Sequence, residues 1–357
     1  MSSIWGNRVK ISLFGESHSP AIGVTIDGLP AGEPINMEEI LLQLGRRAPG
    51  QDSTATPRKE RDMPEILSGL KQGITEGSPL TAMIRNENIR SEDYEDLQNC
   101  PRPGHADFTA ALRYSGANDP RGGGHFSGRL TAPLVFAGSV ARQILARRGI
   151  VIAAHALRIA GISDEAFDSV NPDIKLLSRL NTAYFSVISP MAQQRMREKI
   201  EAARQAQNSV GGIVECVLVG VPPGLGDPMF HGVENVFSEI IFGIPAVKGL
   251  AFGAGFAAAD LQGTVNNDEF YFDERGVVRT RTNHAGGILG GITTGMPILF
   301  QTAIKPTPSV SLEQKTVNLS SGENTGISIR GRHDPCIVPR AIPVVEAAAA
   351  LAILDIM

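Results

Sequence analysis

The sequence predicts an α+β fold in which a duplicated unit is packed as a single domain, residues 1–357. Three observations predict it. The octapeptide GITEGSPL at 73–80 returns as GITTGMPI at 291–298, and a β-rich run follows each copy, LTAMI in one case and ILFQTAI in the other. The turn Gly28-Leu29-Pro30-Ala31-Gly32 is echoed by Gly220-Val221-Pro222-Pro223-Gly224, each after a short apolar strand. Short strands bounded by glycine and proline alternate with helical patterns. Echoes in the same chain order read as two halves of one topology. Chance recurrence of glycine-proline turns is the competing explanation.

The elements follow in order. Residues 10–14 and 22–26 read as strands, separated by a loop, Gly15-Glu16-Ser17-His18-Ser19-Pro20. Asn36 caps a helix running to about Gly45, with Glu38 and Glu39 at its positive end and Arg46 and Arg47 just beyond it. Residues 51–63 are a polar loop carrying Arg58, Lys59 and Arg61. Residues 134–146 have apolar side chains at helical spacing and few charges, as a buried helix does. A strand is expected at 150–160, a solvated charged helix at 192–207, and an alanine-rich helix with an apolar core face from about 343 to 354.

Composition narrows the function. A hydrophobic share of 42% with 20% charged residues is that of a globular protein. A net charge of -4 and a pI near 6.0 oppose non-specific nucleic-acid binding, which needs a broad basic surface. Aromatics at 5% leave little for stacking single strands. Cys100, Cys216 and Cys336 are odd in number and widely spaced, which fits a reducing compartment and no metal site. Residues 1–14 lack a secretion-signal pattern, and the apolar tail at 347–357 is too short to span a bilayer. A cytoplasmic enzyme without a membrane partner is expected.

The chemistry gathers at residues 102–129. Four arginines (102, 113, 121, 129) face two acids, Asp107 and Asp119, a local charge of +2, beside His105, His125 and the glycines 122–124. Guanidinium forks bind phosphate or carboxylate bidentately, glycines let backbone N–H groups approach a ligand, and histidine moves protons near neutral pH. The bland alternative is a surface loop with solvated arginines. A second glycine-rich stretch, Asn283-His284-Ala285-Gly286-Gly287-Ile288-Leu289-Gly290-Gly291, leads to Lys305-Pro306-Thr307-Pro308-Ser309, where Lys305, Thr307 and Ser309 can donate to phosphate. Tight turns are the alternative there.

Several motifs fail. Gly253-Ala254-Gly255-Phe256-Ala257-Ala258 approximates a dinucleotide fingerprint, but no long helix can follow before Gly263, so close chain packing is the better reading. The P-loop pattern is absent, as are metal-ligand spacings. His155 and His231 read as structural. His18 and His105 sit in glycine or proline loops beside polar groups without a nucleophile context, so proton transfer suits them.

Taken together, Gly15-Glu16-Ser17-His18, Ile26-Asp27-Gly28-Leu29-Pro30, Arg46-Arg47 with Pro49-Gly50, Arg102-Pro103-Gly104-His105-Ala106-Asp107, Arg121-Gly122-Gly123-Gly124, the Asn283 to Gly291 run, Lys305-Pro306-Thr307 and Gly331-Arg332-His333-Asp334-Pro335-Cys336 resemble the chorismate synthase family. The resemblance covers nearly the whole chain. It implies a β-α-β sandwich with helices between two antiparallel sheets, assembled as a homotetramer. It also implies a reduced-FMN-dependent 1,4-anti elimination of phosphate from 5-enolpyruvylshikimate 3-phosphate to give chorismate. His18 would be the acid for the departing phosphate, His105 would protonate or stabilise reduced flavin, and Asp334 would assist proton removal. Ser17, Arg46, Arg47, Arg102, Arg129 and Arg332 would hold the substrate's anions. His125, Phe126, Ser127, Ala246, Gly290, Lys305, Pro306, Thr307, Pro308, Ser309 and Arg332 would line the flavin.

The chain departs from the family pattern in places. His125-Phe126-Ser127-Gly128-Arg129-Leu130 stands where the family has R-S-S-A-R-E, Ala48 replaces a third arginine, Pro308 a serine and Pro245 an asparagine. Ser53 and Thr56 stand where some relatives are basic, with Arg58 or Lys59 as substitutes. The source of the flavin's electrons, an external reductase or NAD(P)H, is left open. The rival readings are a divergent lyase on another phosphorylated cyclic acid and an anion- or RNA-binding module.

Overall fold

Ile22, Val24 and Ile26 are fully buried while Asp27 at the end of the same run is exposed, the period-2 pattern of a strand with one face on a core. The structure is a computed structural model that describes residues 3–50, 52, 61–86, 99–329 and 333–357. With elements numbered in chain order, the first half contains β1 (Ile4–Trp5), β2 (Lys10–Gly15), β3 (Ala21–Asp27), α1 (Met37–Arg47), β4 (Pro64–Ser68), β5 (Leu70–Lys71), β6 (Ile74–Thr75), β7 (Leu80–Arg85), α2 (Asp107–Arg113) and α3 (Thr131–Arg147). The second half begins with β8 (Val151–Ile159), β9 (Ile162–Ser163), α4 (Ile174–Leu180), α5 (Pro190–Gln205), β10 (Gly212–Val219), α6 (Val233–Gly243), β11 (Val247–Phe252) and α7 (Gly263–Asn266). It ends with β12 (Phe270–Phe272), β13 (Val278–Thr280), β14 (Ile288–Leu289), β15 (Ile292–Thr293), β16 (Ile298–Ile304), β17 (Gln314–Asn318), β18 (Glu323–Ile327) and α8 (Val338–Ile356).

Two antiparallel sheets form, in the orders β1-β2-β3-β7-β4 and β9-β8-β10-β16-β11. α3 packs on β3 and β7, α8 packs on β8 and β10, and α3 lies against α8, so the helices are held between the sheets. Four strands correspond in chain order, β2-β3-β7-β4 with β8-β10-β16-β11, with α1 after β3 and α6 after β10, while the remaining edge strand precedes its neighbour in the first sheet (β1) and follows it in the second (β9). The echoed sequences also do the same work. Thr75 Oγ1 donates to Pro30 O at 2.6 Å and accepts from Glu33 N at 2.9 Å. Thr293 Oγ1 donates to Pro222 O at 2.7 Å and accepts from Leu225 N at 2.9 Å. The arrangement is the single-domain α+β fold expected, with helices between two antiparallel sheets.

Asn36 caps α1 as expected, its side chain accepting from the N–H groups of Glu38 and Glu39. α3 is buried over most of its length, and α5 buries only a stripe that includes Met196 and Ile200. α8 differs from expectation. It begins at Val338 rather than near 343, because Pro339 in its first turn sacrifices no hydrogen bond. Pro343 then lies inside the helix, and α8 has no solvated face: all its residues except Arg340 and Ile356 are buried. Small residues permit this, since a Cβ on Gly138 of α3 would collide with Ala347 of α8. The Gly253-Ala254-Gly255 motif leads into a short 3-10 turn, and a Cβ on Gly253 would strike His284 O, so close packing is what its glycine serves. Among the described residues no helix is long and apolar enough to cross a membrane.

Candidate active site

Gly122, Gly123 and Gly124 have φ values of +59°, +89° and +52°, a run that side chains other than hydrogen would strain. The lack of side chains also creates space. A Cβ on Gly122 would collide with the His18 ring and lie 2.5 Å from Ser17 Oγ, and one on Gly123 would lie 2.9 Å from His105 Cε1 and 3.7 Å from an Arg102 terminal nitrogen. The turn is therefore wedged between Ser17 and His18 on one side and Arg102 and His105 on the other. Ser17 N donates to Gly124 O at 3.1 Å, which ties the β2–β3 loop to the turn.

Asp107 organises the second side. It accepts from His105 Nδ1 at 2.6 Å and from Arg102 Nε at 2.7 Å, and Arg102 also donates to Ser309 Oγ at 3.1 Å. A carboxylate only accepts, so the His105 proton sits on Nδ1 and leaves Nε2 beside Gly123. Burial opposes the charge of Asp107, but the hydrogen bonds from Arg102 and His105 outweigh it and hold the carboxyl well below the usual range. Lys305 Nζ donates to Gly104 O, bringing the 305–309 segment onto the same loop. Burial and the charge of Lys248 push the Lys305 ammonium below its usual value.

The arginines divide. Arg47 donates to Asp62 at 2.8 Å, Thr131 Oγ1 at 3.0 Å and Gly128 O at 3.0 Å. Arg129 pairs with the other oxygen of Asp62 and donates to Asn86 Oδ1 at 2.9 Å. Asp62 stays ionised: burial pushes its carboxyl up, and the charges of Arg47 and Arg129 bring it below the ordinary value. Arg46, expected beside them as a substrate ligand, is turned into the core. Its Nε donates to Ala183 O, and its terminal nitrogens engage Gln43, Glu346, Leu180 O and Ser186, so every donor is spent inside the protein. The reason is Glu346, fully buried on α8, which also takes Arg142 at 2.9 Å. Asp334 is buried and paired with Arg340, whose Nε donates to Arg47 O at 2.9 Å. Arg332, like Ser53, Thr56, Arg58 and Lys59, lies outside the described residues.

His125, expected to line the flavin, has both ring nitrogens engaged by the protein. Its Nδ1 donates to Gly15 O at 2.8 Å and its Nε2 accepts from Ser3 Oγ at 2.6 Å, so both ring nitrogens anchor the end of β2. Phe126 is half-exposed against Tyr114. Ser127 Oγ accepts from Arg129 N at 3.2 Å, and Ala246, at φ +75°, accepts from Lys305 N at 3.0 Å. Pro306 packs beside Gly211, Pro308 beside Gly104, and Gly290 lies at the tip of the β14–β15 turn. Thr307 Oγ1 is buried and has no hydrogen-bond partner among the described residues.

The chorismate synthase family profile matches residues 9–357. This chain belongs to the chorismate synthase family. It is 46% identical to the chorismate synthase of Lancefieldella parvula, with 99% of this chain and 96% of that one covered. It is 47% identical to that of Thermococcus kodakarensis, with 98% and 96% covered. A crystal structure of chorismate synthase superposes with a TM-score of 0.77 at 26% identity, covering 98% of this chain and 92% of the other. Membership makes the chain an enzyme of the lyase type.

Within this family member, the site contains residues that motif reading passed over: Asp62, Asn86, Lys248 and Arg340. Asp107 was visible as the acid two residues after His105. The others act over separations from six residues for Arg340 and Asp334 to 293 for Arg340 and Arg47, and no motif announces such pairs.

Proposed function

We propose that this chain is a chorismate synthase, a carbon-oxygen lyase that eliminates phosphate and a ring hydrogen from 5-enolpyruvylshikimate 3-phosphate in 1,4-anti fashion, with reduced FMN as cofactor. One observation carries the reading: in a member of this family, the glycine turn at 122–124 is wedged between Ser17 with His18 and Arg102 with His105. Two proton-moving groups thus share one turn with anion-binding residues.

The residues present fit a flavin phosphate. Thr307 Oγ1 is buried without a partner among the described residues, and Lys305 is depressed by burial and by Lys248, so an anion there would satisfy the hydroxyl and relieve the like charges. Lys305, Thr307 and Ser309 would hold that phosphate, with Ser127, Ala246, Gly290, Pro306 and Pro308 along the cofactor. When bound, reduced FMN supplies the electron density that lets phosphate leave a substrate whose departing hydrogen is not acidic.

The protein's own groups do the rest. His18 donates a proton to the departing phosphate as general acid. His105, its Nδ1 fixed by Asp107, keeps Nε2 to hold or move a proton beside the cofactor. Asp334, held by Arg340, assists removal of the ring hydrogen. Arg47, Arg102, Arg129 and Arg332, with Ser17, bind the substrate's carboxylates and phosphate. The expected setting is the cytoplasm and the expected assembly a homotetramer.

The test is anaerobic incubation with photoreduced FMN and the substrate. Catalytic release of inorganic phosphate is expected. No release, with reduced FMN shown to be bound, would overturn the reading.

A further inference from the structure

Asn86 follows β7, and its N–H donates to Pro20 O at 3.1 Å, continuing the pairing of β7 with β3 one rung past the strand. Its side chain then does two things. Nδ2 donates to Glu16 O at 3.0 Å and to Ser19 O at 2.8 Å, the two carbonyls that bracket Ser17 and His18. Oδ1 accepts from Arg129 Nε at 2.9 Å. The amide can face only one way, since reversing it would set its oxygen against two carbonyls and its N–H₂ against a guanidinium. A single planar group therefore spans from the histidine loop to an arginine of the anion site.

We infer that Asn86 is a positioning residue that holds the His18 loop in register with Arg129. The inference rests on the proposed roles of His18 as acid and Arg129 as anion ligand. Its physical basis is that a proton donor and the anion it serves must be aligned, and a displacement of about 1 Å can cost roughly 100-fold in rate. The loop depends on such a tie because His18 is carried by a five-residue connection, Glu16-Ser17-His18-Ser19-Pro20, rather than by a helix or strand. Asn86 touches no reacting atom in this account and acts through the groups it holds.

Two variants separate its bonds. Asn86→Asp keeps an acceptor for Arg129 but sets a carboxylate oxygen against the carbonyls of Glu16 and Ser19, so it loosens the histidine loop alone. Asn86→Ala releases both sides. In the anaerobic phosphate-release assay, Asn86→Asp is expected to lower kcat roughly 10- to 100-fold with KM little changed, and Asn86→Ala to lower kcat and raise KM. In a His18→Ala background, Asn86→Asp should cost nothing further, because the group it positions is gone. A merely structural role would give losses that multiply and would track the melting temperature, which is measured on every variant. Multiplying losses, or wild-type kcat in Asn86→Asp, would overturn the inference. Should Asn86→Asp fail to fold, Asn86→Ala with its His18→Ala double is read on kcat: the double should keep the kcat of His18→Ala and differ from it only in a raised KM, and a kcat loss that multiplies would overturn the inference. Failure of the functional reading is distinguishable, since there the wild-type protein itself would release no phosphate.

Discussion

In the first half of the molecule, the connection from β7 to α3 carries Arg102, His105, Asp107 and the glycine turn. In the second half, the matching connection from β16 to α8 carries Lys305, Thr307, Ser309 and Asp334. The two connections lie side by side: Arg102 donates to Ser309, Lys305 to Gly104, and Thr316 to Pro101 O at 2.6 Å. The scaffolds around them share the order of four strands and even the threonine that braces each turn. The difference teaches that similar frames can present connections of different composition. One carries His105 and Arg102 with Asp107, the other Lys305, two hydroxyls and Asp334.

The largest effects should come from breaking the chemical asymmetry. His105→Ala in one connection and Asp334→Asn in the other should each lower anaerobic phosphate release by about 10²- to 10⁴-fold, and Asp334→Asn should also lower the melting temperature because it removes the counter-charge of Arg340. Next comes the seam between the halves. Glu346 of α8 binds Arg46 of α1, Arg142 of α3 and Ala154 N of β8, all within the core. Glu346→Ala strands two buried guanidinium groups and should cost about 3–5 kcal/mol in urea unfolding. The repeated turns should respond alike: Thr75→Val and Thr293→Val each leave an N–H and a carbonyl unpaired, and should cost about 1–3 kcal/mol apiece without lowering kcat. Markedly unequal costs would show that the two turns are not equivalent.

The smallest effect is a pH dependence confined to the second half. His155, fully buried on β8, bridges Asp164 at 2.9 Å and Glu215 at 3.1 Å. Burial alone would lower its pKa, but the two carboxylates outweigh this and raise it. A raised histidine stabilises the fold fully below its unfolded value, about 6.5, and that contribution is lost as pH rises through the folded value. His155→Gln should flatten this part of the stability profile, and an unchanged profile would count against the bridge. Asp107 in the first half has the opposite sense: its depressed carboxyl contributes above its unfolded value and loses that contribution only as pH falls through the folded one.

Much of the frame was legible because its signals are local. Asn36 before Glu38 and Glu39 announces a helix start, and the echoed GIT-x-G-x-P segments announce matched turns. The start of α8 was not legible, because Pro339 and Pro343 read as helix breakers unless the first turn lies before them. The histidines and most arginines of the site stood out by motif. Which of Arg46 and Arg47 faces the core did not, since they are neighbours about 100° apart on a helix and only the position of Glu346 decides. The hydrogen bonds of His125 were not legible for a similar reason: its partners, Ser3 and Gly15 O, are more than 100 residues away. Asn86, Asp62 and Arg340 carry no motif and become visible only once the chain is folded.

The claim that the reaction is assembled from both connections is tested most directly by a double-mutant cycle on single-turnover phosphate release. It compares His105→Ala, Asp334→Asn and the double variant under anaerobic conditions with reduced FMN. Groups that act as one unit give a double variant little slower than the worse single one. Losses that multiply, or a wild-type rate in either single variant, would contradict a shared site.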